Sequence, residues 1–272
     1  MSDFEKKVSR EIQKTGLPTE IKATKILQDN GWSVFNEYPY LDREENKIRT
    51  LDIKATKGFL KSEKAKANGS YEIDSDCELF IECKKSVKQS WVFHTPSLSE
   101  SVIDFSIKRI GYDMTFDLSK EIAKIFAKTN ELAETEDHKK ERSSIFSKIP
   151  LTLKKMEYQI ATTHQVVFGG KDDFNEATMQ VLKALLHKDE EDKLAHSEPS
   201  YQHRVIPMVL FDGTIFKCYY GLNGELLTPK IEYVRYLAHG LPNQKIPALI
   251  DVMTINYFPK YLKLIEEEFR PS

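Results

Sequence analysis

Residues 77–85, CELFIECKK, constrain the fold of this chain more than any other segment. The bulky apolar residues at its centre, Leu79-Phe80-Ile81, are typical of a core β-strand. Glu82 and Lys84 follow this apolar centre. A carboxylate buried in an apolar strand destabilises the fold by several kcal/mol unless a partner or a cation offsets its charge. The segment therefore predicts a core strand whose acid has a partner.

Residues 49–56, RTLDIKAT, predict a second strand that carries one acid. Because side chains alternate along a strand, Leu51, Ile53 and Ala55 are expected on one face and Asp52 on the other. Asp52 is thus a second carboxylate between apolar neighbours, and its strand comes before the strand of residues 77–85 in the chain. We expect the two strands to be adjacent, with Asp52 opposite Glu82.

Metal-dependent phosphodiester cleavage needs the residue types found at these positions. Mg²⁺ binds carboxylate and carbonyl oxygens and keeps several waters. A lysine beside it can orient or deprotonate the attacking water and offset charge in the transition state. Alternation puts Glu82 and Lys84 on one face and leaves the backbone carbonyl of Cys83 as a further ligand. The alternative is a structural ion pair formed by Asp52, Glu82 and Lys84 on a half-exposed sheet face.

The other segments predict an α/β fold. Residues 17–30 form an amphipathic helix, and its predicted buried stripe is Ile21, Ala23, Lys25 (through its aliphatic stem), Ile26 and Leu27. Further predicted elements are a strand at 32–37, a loop or mobile hairpin at 57–76, a helix at 172–190, a hairpin over 204–220 turning at Asp212-Gly213, strands at 231–237 and 249–255, and a helix at 259–269. This order describes a mixed β-sheet with helices on its faces.

The predicted elements divide the chain into three parts. Residues 1–94 hold the motif strands, and residues 171–272 hold later elements of the same core. Residues 95–170 between them are expected to form a mainly helical insertion or lid, with helices near 117–134 and 136–160. A partner protein that docks on this insertion is one possibility that the sequence leaves open.

Composition fits a folded protein of the cytoplasm. The apolar fraction is 40% and the charged fraction is 30%, a balance that favours a globular chain over a disordered one. The charged N-terminus predicts no secretory signal, and no stretch approaches the roughly 18 apolar residues that span a bilayer. The three cysteines, Cys77, Cys83 and Cys218, lack C-x-x-C spacing, which argues against a disulfide framework or a zinc knuckle. The net charge of −2 excludes binding to nucleic acid by bulk positive charge.

These motifs resemble those of the PD-(D/E)XK, or restriction-endonuclease-like, nuclease superfamily. The resemblance rests on Glu20 in the first predicted helix, on RTLDIKA around Asp52, and on LFIECKK around Glu82 and Lys84. It covers about residues 17–93. The superfamily implies an αβββαβ core, Mg²⁺ as cofactor with Mn²⁺ as a substitute, and cleavage of nucleic acid, usually DNA.

The resemblance also implies roles for individual residues. Asp52 and Glu82 would bind the metal, Lys84 would position or activate water, and Glu20 would be an additional acid near the metal. The sequence departs from the family pattern at Leu51, which stands where the family name has proline. The predicted loop and the insertion after Lys84 are also longer than the minimal fold requires.

Two other sets of residues each have two possible roles. Glu20 would equally suit the start of a surface helix, where the helix dipole favours an acid. Trp91, Phe93 and His94 follow the motif strand and could stack on bases, or they could pack in the core or under the lid.

Together these features predict a Mg²⁺-dependent endonuclease acting on DNA. The habits of the superfamily suggest defence against foreign DNA or repair as its role. The alternative is a nuclease-fold protein that binds nucleic acid without cutting it, or an assembly subunit of a larger complex. The sequence leaves open whether the protein forms a homodimer, and no membrane contact is expected.

Overall fold

The computed structural model describes residues 2–60, 73–95, 160–169, 171–195, 202–221, 223–238 and 248–269. Its helices are α1 (Asp3–Ile12), α2 (Leu17–Asp29), α3 (Asp173–Ala195) and α4 (Phe258–Phe269). Its strands are β1 (Ser33–Asp42), β2 (Lys47–Leu60), β3 (Ile73–His94), β4 (Ile160–Ala161), β5 (Thr163–Val167), β6 (Gln202–Tyr220), β7 (Leu226–Leu227), β8 (Lys230–Ile231), β9 (Tyr233–Ala238) and β10 (Ala248–Thr254). None of the helices in these ranges is long and apolar enough to cross a membrane.

The strands form an open, mixed sheet in the order β1-β2-β3-β6-β10-β9-β4, and β5 also pairs with β3. The β1–β2 and β2–β3 pairs are antiparallel, whereas β6 runs parallel to both β3 and β10. A parallel neighbour needs a crossover connection, and α3 lies in the chain between β3 and β6. The predicted mixed α/β class is therefore confirmed.

Helices cover both faces of the sheet. The α3 residues Phe174, Ala177 and Val181 belong to one core cluster, together with Phe80 and Trp91 of β3. The other cluster joins α2 and α4 to the opposite face, and it contains Ala23, Leu27, Ile53, Ile81, Cys83, Phe258 and Leu262. The molecule thus has three layers, with the sheet between α3 on one side and α2 and α4 on the other.

The predicted helix over residues 17–30 is confirmed as α2, but its predicted stripe is partly wrong. The buried residues of α2 are Thr19, Ala23 and Leu27, spaced four apart on one helix face. Ile21 is 58% exposed, and the Lys25 side chain extends outward to pair with Asp29. Ala23 and Leu27, with Ile26 partly buried beside them, form the face that packs against the sheet.

The predicted common face for Leu51, Ile53 and Ala55 is also wrong. Ile53 and Ala55 pack in the core beneath α2 and α4, whereas Leu51 packs on the α3 side. The described pairing of β2 with β3 ends at Ile53 opposite Ile81, while β2 stays paired with β1 through Lys47. The strand changes faces where it leaves β3.

A hairpin was predicted over residues 204–220, but the structure has the single strand β6 there. Asp212-Gly213 lies inside this strand, where Asp212 is paired with Lys85 of β3 and Thr214 with Ser90. Residues 86–89 of β3 therefore bulge opposite Gly213 alone. The non-local pairing with β3 overrides the local turn preference of Asp-Gly.

Other elements differ from prediction mainly in length. The segment 57–76, predicted as a loop or mobile hairpin, is partly strand, since β2 continues to Leu60 and its antiparallel partner β3 begins at Ile73. Of the predicted helical insertion, residues 95 and 160–169 are described, and the strands β4 and β5 lie within 160–169. The helices predicted near 117–134 and 136–160 otherwise lie outside the described residues. The helix after residue 172, the strands near 231–237 and 249–255, and the closing helix are confirmed as α3, β9, β10 and α4.

Sequence analysis did not predict α1. A capping box formed by Ser2 and Glu5 begins this helix, and such a box satisfies backbone donors at a helix start. Phe4 is 75% exposed, and Val8 and Ile12 are exposed as well. The apolar stripe of α1 is thus uncovered by the described residues.

Because Gly213 has no side chain, the ring of Phe211 can pack against its backbone in the core. A Cβ atom at this position would lie 2.4 Å from Cζ of Phe211, whose ring stacks on Trp91 with 3.7 Å between centroids.

We expect Gly213→Ala to lower the free energy of unfolding by about 1–3 kcal/mol through overpacking. Urea denaturation of Gly213→Ala in the native and Phe211→Leu backgrounds checks this. Because the smaller side chain relieves the clash, the loss should nearly vanish in the second background. An equal loss in both backgrounds would assign the effect to the backbone.

Candidate active site

The candidate site lies at a gap along one edge of β3. On this edge, β2 pairs with β3 as far as Ile81, and β5 joins it only from Ser90. No strand among the described residues pairs with the edge between them, residues 82–89. We call this stretch the notch. Glu82, Cys83 and Lys84 lie at its beginning.

Asp52 closes the end of the notch where β2 departs. Its Oδ2 atom accepts a hydrogen bond of 2.7 Å from the backbone N–H of Cys83. One step beyond the Ile53–Ile81 pair, the same register sets Asp52 opposite Glu82. Burial and, to a smaller extent, the charge of Glu37 raise the pKa of Asp52. The hydrogen bond from Cys83 and the charge of Lys84 oppose this rise.

Glu82 is almost completely buried, with 2% of its surface exposed. Its Oε1 atom accepts a hydrogen bond of 2.8 Å from Nζ of Lys84, whereas its Oε2 atom is buried and has no hydrogen-bond partner. Burial and the charge of Asp52 together raise the pKa of Glu82 to about 8, against the opposing effect of Lys84. Without another cation, this carboxyl group favours a proton at neutral pH.

Lys84 links the sheet to α3. Besides Glu82, its Nζ atom donates to Oε1 of Gln180 over 3.3 Å. Burial lowers the pKa of Lys84, but the charge and hydrogen bond of Glu82 and the charge of Asp52 outweigh burial and raise it. Lys84 is therefore a protonated ammonium at neutral pH. Gln180 of α3 is thus a neighbour of the site.

Glu20 of α2 approaches the same site from the other layer. A Cβ atom built on Gly16 would lie 3.4 Å from Oε1 of Glu20 and 3.6 Å from the carbonyl oxygen of Cys83. These two oxygens thus converge on one small space that a larger residue than glycine would fill. Burial raises the pKa of Glu20, and the charge of Asp52 raises it further.

Glu37 is an acid of this site that sequence analysis missed. It lies in β1 between Asn36, which pairs with Ile53, and Tyr38, which pairs with Leu51, so it stands opposite Asp52. Its φ of 52° is uncommon for a residue other than glycine. Its charge raises the pKa of Asp52 and of Glu20. The sequence carries no signal for this role, because the backbone conformation follows from tertiary structure.

Of the three residues after the motif, Trp91 and Phe93 do not line the site, whereas His94 is exposed at the end of β3. Trp91 and Phe93 are fully buried and pack edge-on against Phe174 of α3, each with 5.0 Å between ring centroids. Trp91 also donates through Nε1 to Asp173. Of the two roles considered for Trp91 and Phe93, base stacking is wrong and core packing is confirmed.

The donor atoms suit a hard cation. Asp52 and Glu82 offer carboxylate oxygens and Cys83 offers a carbonyl, which are the ligand types of Mg²⁺. The unpartnered Oε2 atom of buried Glu82 fits such an ion. In the described part of the chain, no group of three His, Cys, Asp or Glu side chains is arranged to hold a metal ion. A cation here would therefore depend on the Cys83 carbonyl and on water for its remaining ligands.

No protein-family model, curated protein or solved structure matches the chain. The functional inference therefore rests on the residues themselves.

The buried Glu82 should make stability depend on pH. Its pKa is about 8 in the folded protein against an ordinary value of 4.5, so between these values the folded state holds a proton that the unfolded state lacks. This contribution is complete below pH 4.5 and is lost as pH rises through about 8, by up to about 1.4 kcal/mol per pH unit. Urea denaturation in EDTA from pH 5 to 8.5 measures the slope.

Glu82→Gln mimics the protonated acid and should flatten this slope. Glu78→Gln is the matched control: Glu78 lies on the same strand and pairs with Lys54 over 3.4 Å. The control should keep the native slope, since it retains Glu82. Equal slopes in the native protein and in Glu82→Gln would show that Glu82 does not titrate in this range.

Proposed function

We propose that this protein is a Mg²⁺-dependent endonuclease that hydrolyses phosphodiester bonds of nucleic acid, with DNA as its substrate. One observation carries the proposal. Glu82 is buried with one oxygen unpartnered, beside Lys84 and opposite Asp52 in the strand register. A cation would stabilise the charged form of this carboxylate, and a scissile phosphate would bring that cation a further ligand.

Each residue has a distinct task in this proposal. Asp52, Glu82 and the carbonyl of Cys83 would hold the ion, with Glu20 as an additional acid on the α2 side. Mg²⁺, or Mn²⁺ in its place, supplies Lewis acidity and lowers the pKa of a bound water. The raised pKa of Lys84 favours a role as hydrogen-bond donor and positive charge over that of a proton acceptor. Lys84 would thus orient water and offset charge on the phosphate.

The order of elements supports the restriction-endonuclease-like fold within this proposal. With the short strands β4 and β5 set aside, the order α2-β1-β2-β3-α3-β6 matches the αβββαβ order that the superfamily resemblance implies. The motif acids lie on β2 and β3, the second and third of these strands, as expected for that fold. A role in defence against foreign DNA or in repair would follow from the superfamily's habits.

Cleavage assays test the proposal directly. Supercoiled plasmid, single-stranded DNA and RNA are incubated with the full chain in Mg²⁺, Mn²⁺ or EDTA. We expect metal-dependent cutting that falls about 100-fold or more in Asp52→Asn and in Lys84→Met, because each loses a group that stabilises the transition state. The control Glu78→Gln, which changes a buried acid on the same strand, should cut at the native rate.

Two outcomes would contradict the proposal. Cutting that persists in EDTA would exclude the metal, and equal cutting by Asp52→Asn would place the chemistry elsewhere. Folding of each variant is checked by its far-ultraviolet circular dichroism and its unfolding midpoint.

A second function, a non-cutting subunit of a larger complex, has one observation in its favour. The stripe of Phe4, Val8 and Ile12 on α1 is exposed, and uncovered apolar stripes are typical of protein contacts. A native protein that cuts no substrate, together with a Val8→Glu variant that loses a partner bound by the native chain, would favour this function.

A further inference from the structure

Phe168 is exposed at the far end of the notch. It follows the last residue of β5, Val167, which pairs with Ser90 of β3. Its neighbour Gly169 packs against Gln89, since a Cβ atom on Gly169 would overlap the Gln89 side chain at 2.2 Å. Asp52 therefore closes one end of the notch, and Phe168 stands at the other.

Two properties of Phe168 distinguish it from the other aromatic residues near the notch. Its side chain is 83% exposed, whereas Trp91 and Phe93 are fully buried. Its φ is 63°, in the left-handed region, where a residue other than glycine is strained. Strained conformations cluster at ligand contacts and active sites. Neither property helps the described fold, because an exposed ring buries little apolar surface and the backbone conformation is costly.

Positive charge accompanies Phe168 along the notch. Lys88 lies in the bulge of β3 and is exposed. Lys171 follows Phe168 closely, has a 74% exposed side chain and pairs with Glu176, whose own pKa is lowered in part by Lys84. Lysines of this kind suit the phosphates of a strand that passes from the site toward Phe168.

We propose that Phe168 stacks on a nucleobase of a strand that lies in the notch, with its scissile phosphate at Asp52, Glu82 and Lys84. This inference rests on the proposed function, since it takes nucleic acid as the ligand. Lys84 and Gln89 are five residues apart, at most about 17 Å along a strand. Stacking requires a base whose face is free, so the preferred ligand is single-stranded or frayed nucleic acid.

Binding measurements test the stacking role. Fluorescence anisotropy with a labelled single-stranded 20-mer of thymidines, in EDTA so that no strand is cut, gives Kd for the full chain. We expect Phe168→Ala to raise Kd about 5- to 150-fold, the range for loss of one stacked base. Phe168→Trp should keep the native Kd. Phe4→Ala is the matched control, because Phe4 is 75% exposed on α1, and it should bind like the native protein.

A third variant separates lost contact from lost folding. Asn tolerates the left-handed region better than Phe, so Phe168→Asn should raise Tm by about 2–4 °C while binding as weakly as Phe168→Ala. A Tm that falls would contradict the strain assigned to Phe168. A blunt duplex of the same length should lose less affinity than the single strand in both variants.

The outcomes distinguish this inference from the proposed function. If the native protein cuts DNA and Phe168→Ala keeps the native Kd, the stacking role is wrong and the nuclease proposal stands. If Phe168→Ala weakens binding and no substrate is ever cut, the stacking role stands and the nuclease proposal fails. If the native chain binds neither strand nor duplex, the stacking role is wrong as well.

Discussion

The hydrogen bond from the amide of Cys83 to the carboxylate of Asp52 determines where the site forms. A backbone N–H at a strand edge needs an acceptor, and after Ile81 the β2 backbone no longer provides one. The side chain of Asp52 takes over this role at the point where β2 leaves. The bond therefore lies where the β2–β3 pairing ends. Because Cys83 stands between Glu82 and Lys84, it also holds the Asp52 carboxylate close to both of these side chains. Beyond it, the edge of β3 has no partner strand among the described residues.

A second buried acid shows what a purely structural carboxylate looks like in this fold. Asp251 is 3% exposed, and both of its oxygens accept hydrogen bonds, from Arg235 over 2.6 and 3.0 Å and from Tyr233 and Tyr261. Glu82 is equally buried, yet its Oε2 has no hydrogen-bond partner, and Oε2 of Glu78, the buried acid that pairs with Lys54, has none either. Leaving a buried charge unsatisfied is costly, and the same sheet satisfies Asp251 completely. Glu82 differs from Glu78 in lying beside a second acid, Asp52, whose charge raises the pKa of Glu82. The two neighbouring carboxylates, and not the unpartnered oxygen alone, therefore support a cation as ligand.

Sequence patterns predicted what local periodicity controls. The alternation that sets Glu82 and Lys84 on one face and Cys83 on the other follows from strand geometry alone. It failed at Leu51, where β2 changes faces on leaving β3, and over residues 204–220, where pairing with β3 overrides a turn. Residues held by left-handed backbone conformations, such as Glu37, carry no local signal. The acids were thus predictable as a motif, whereas their neighbours on β1 and α3 required the tertiary structure.

The long parallel pair of β3 and β6 keeps the notch open. Between residues 82 and 89, β3 has no described strand on the notch side, yet it stays extended because β6 pairs with it through Lys85 and again from Ser90. The bulge opposite Gly213 lets β3 gain residues without losing this partner. Below it, the stacked rings of Trp91 and Phe211 fix the strand in the core. The bulge of β3 thus lies opposite Gly213. It separates the acids at one end of the notch from Phe168 at the other end.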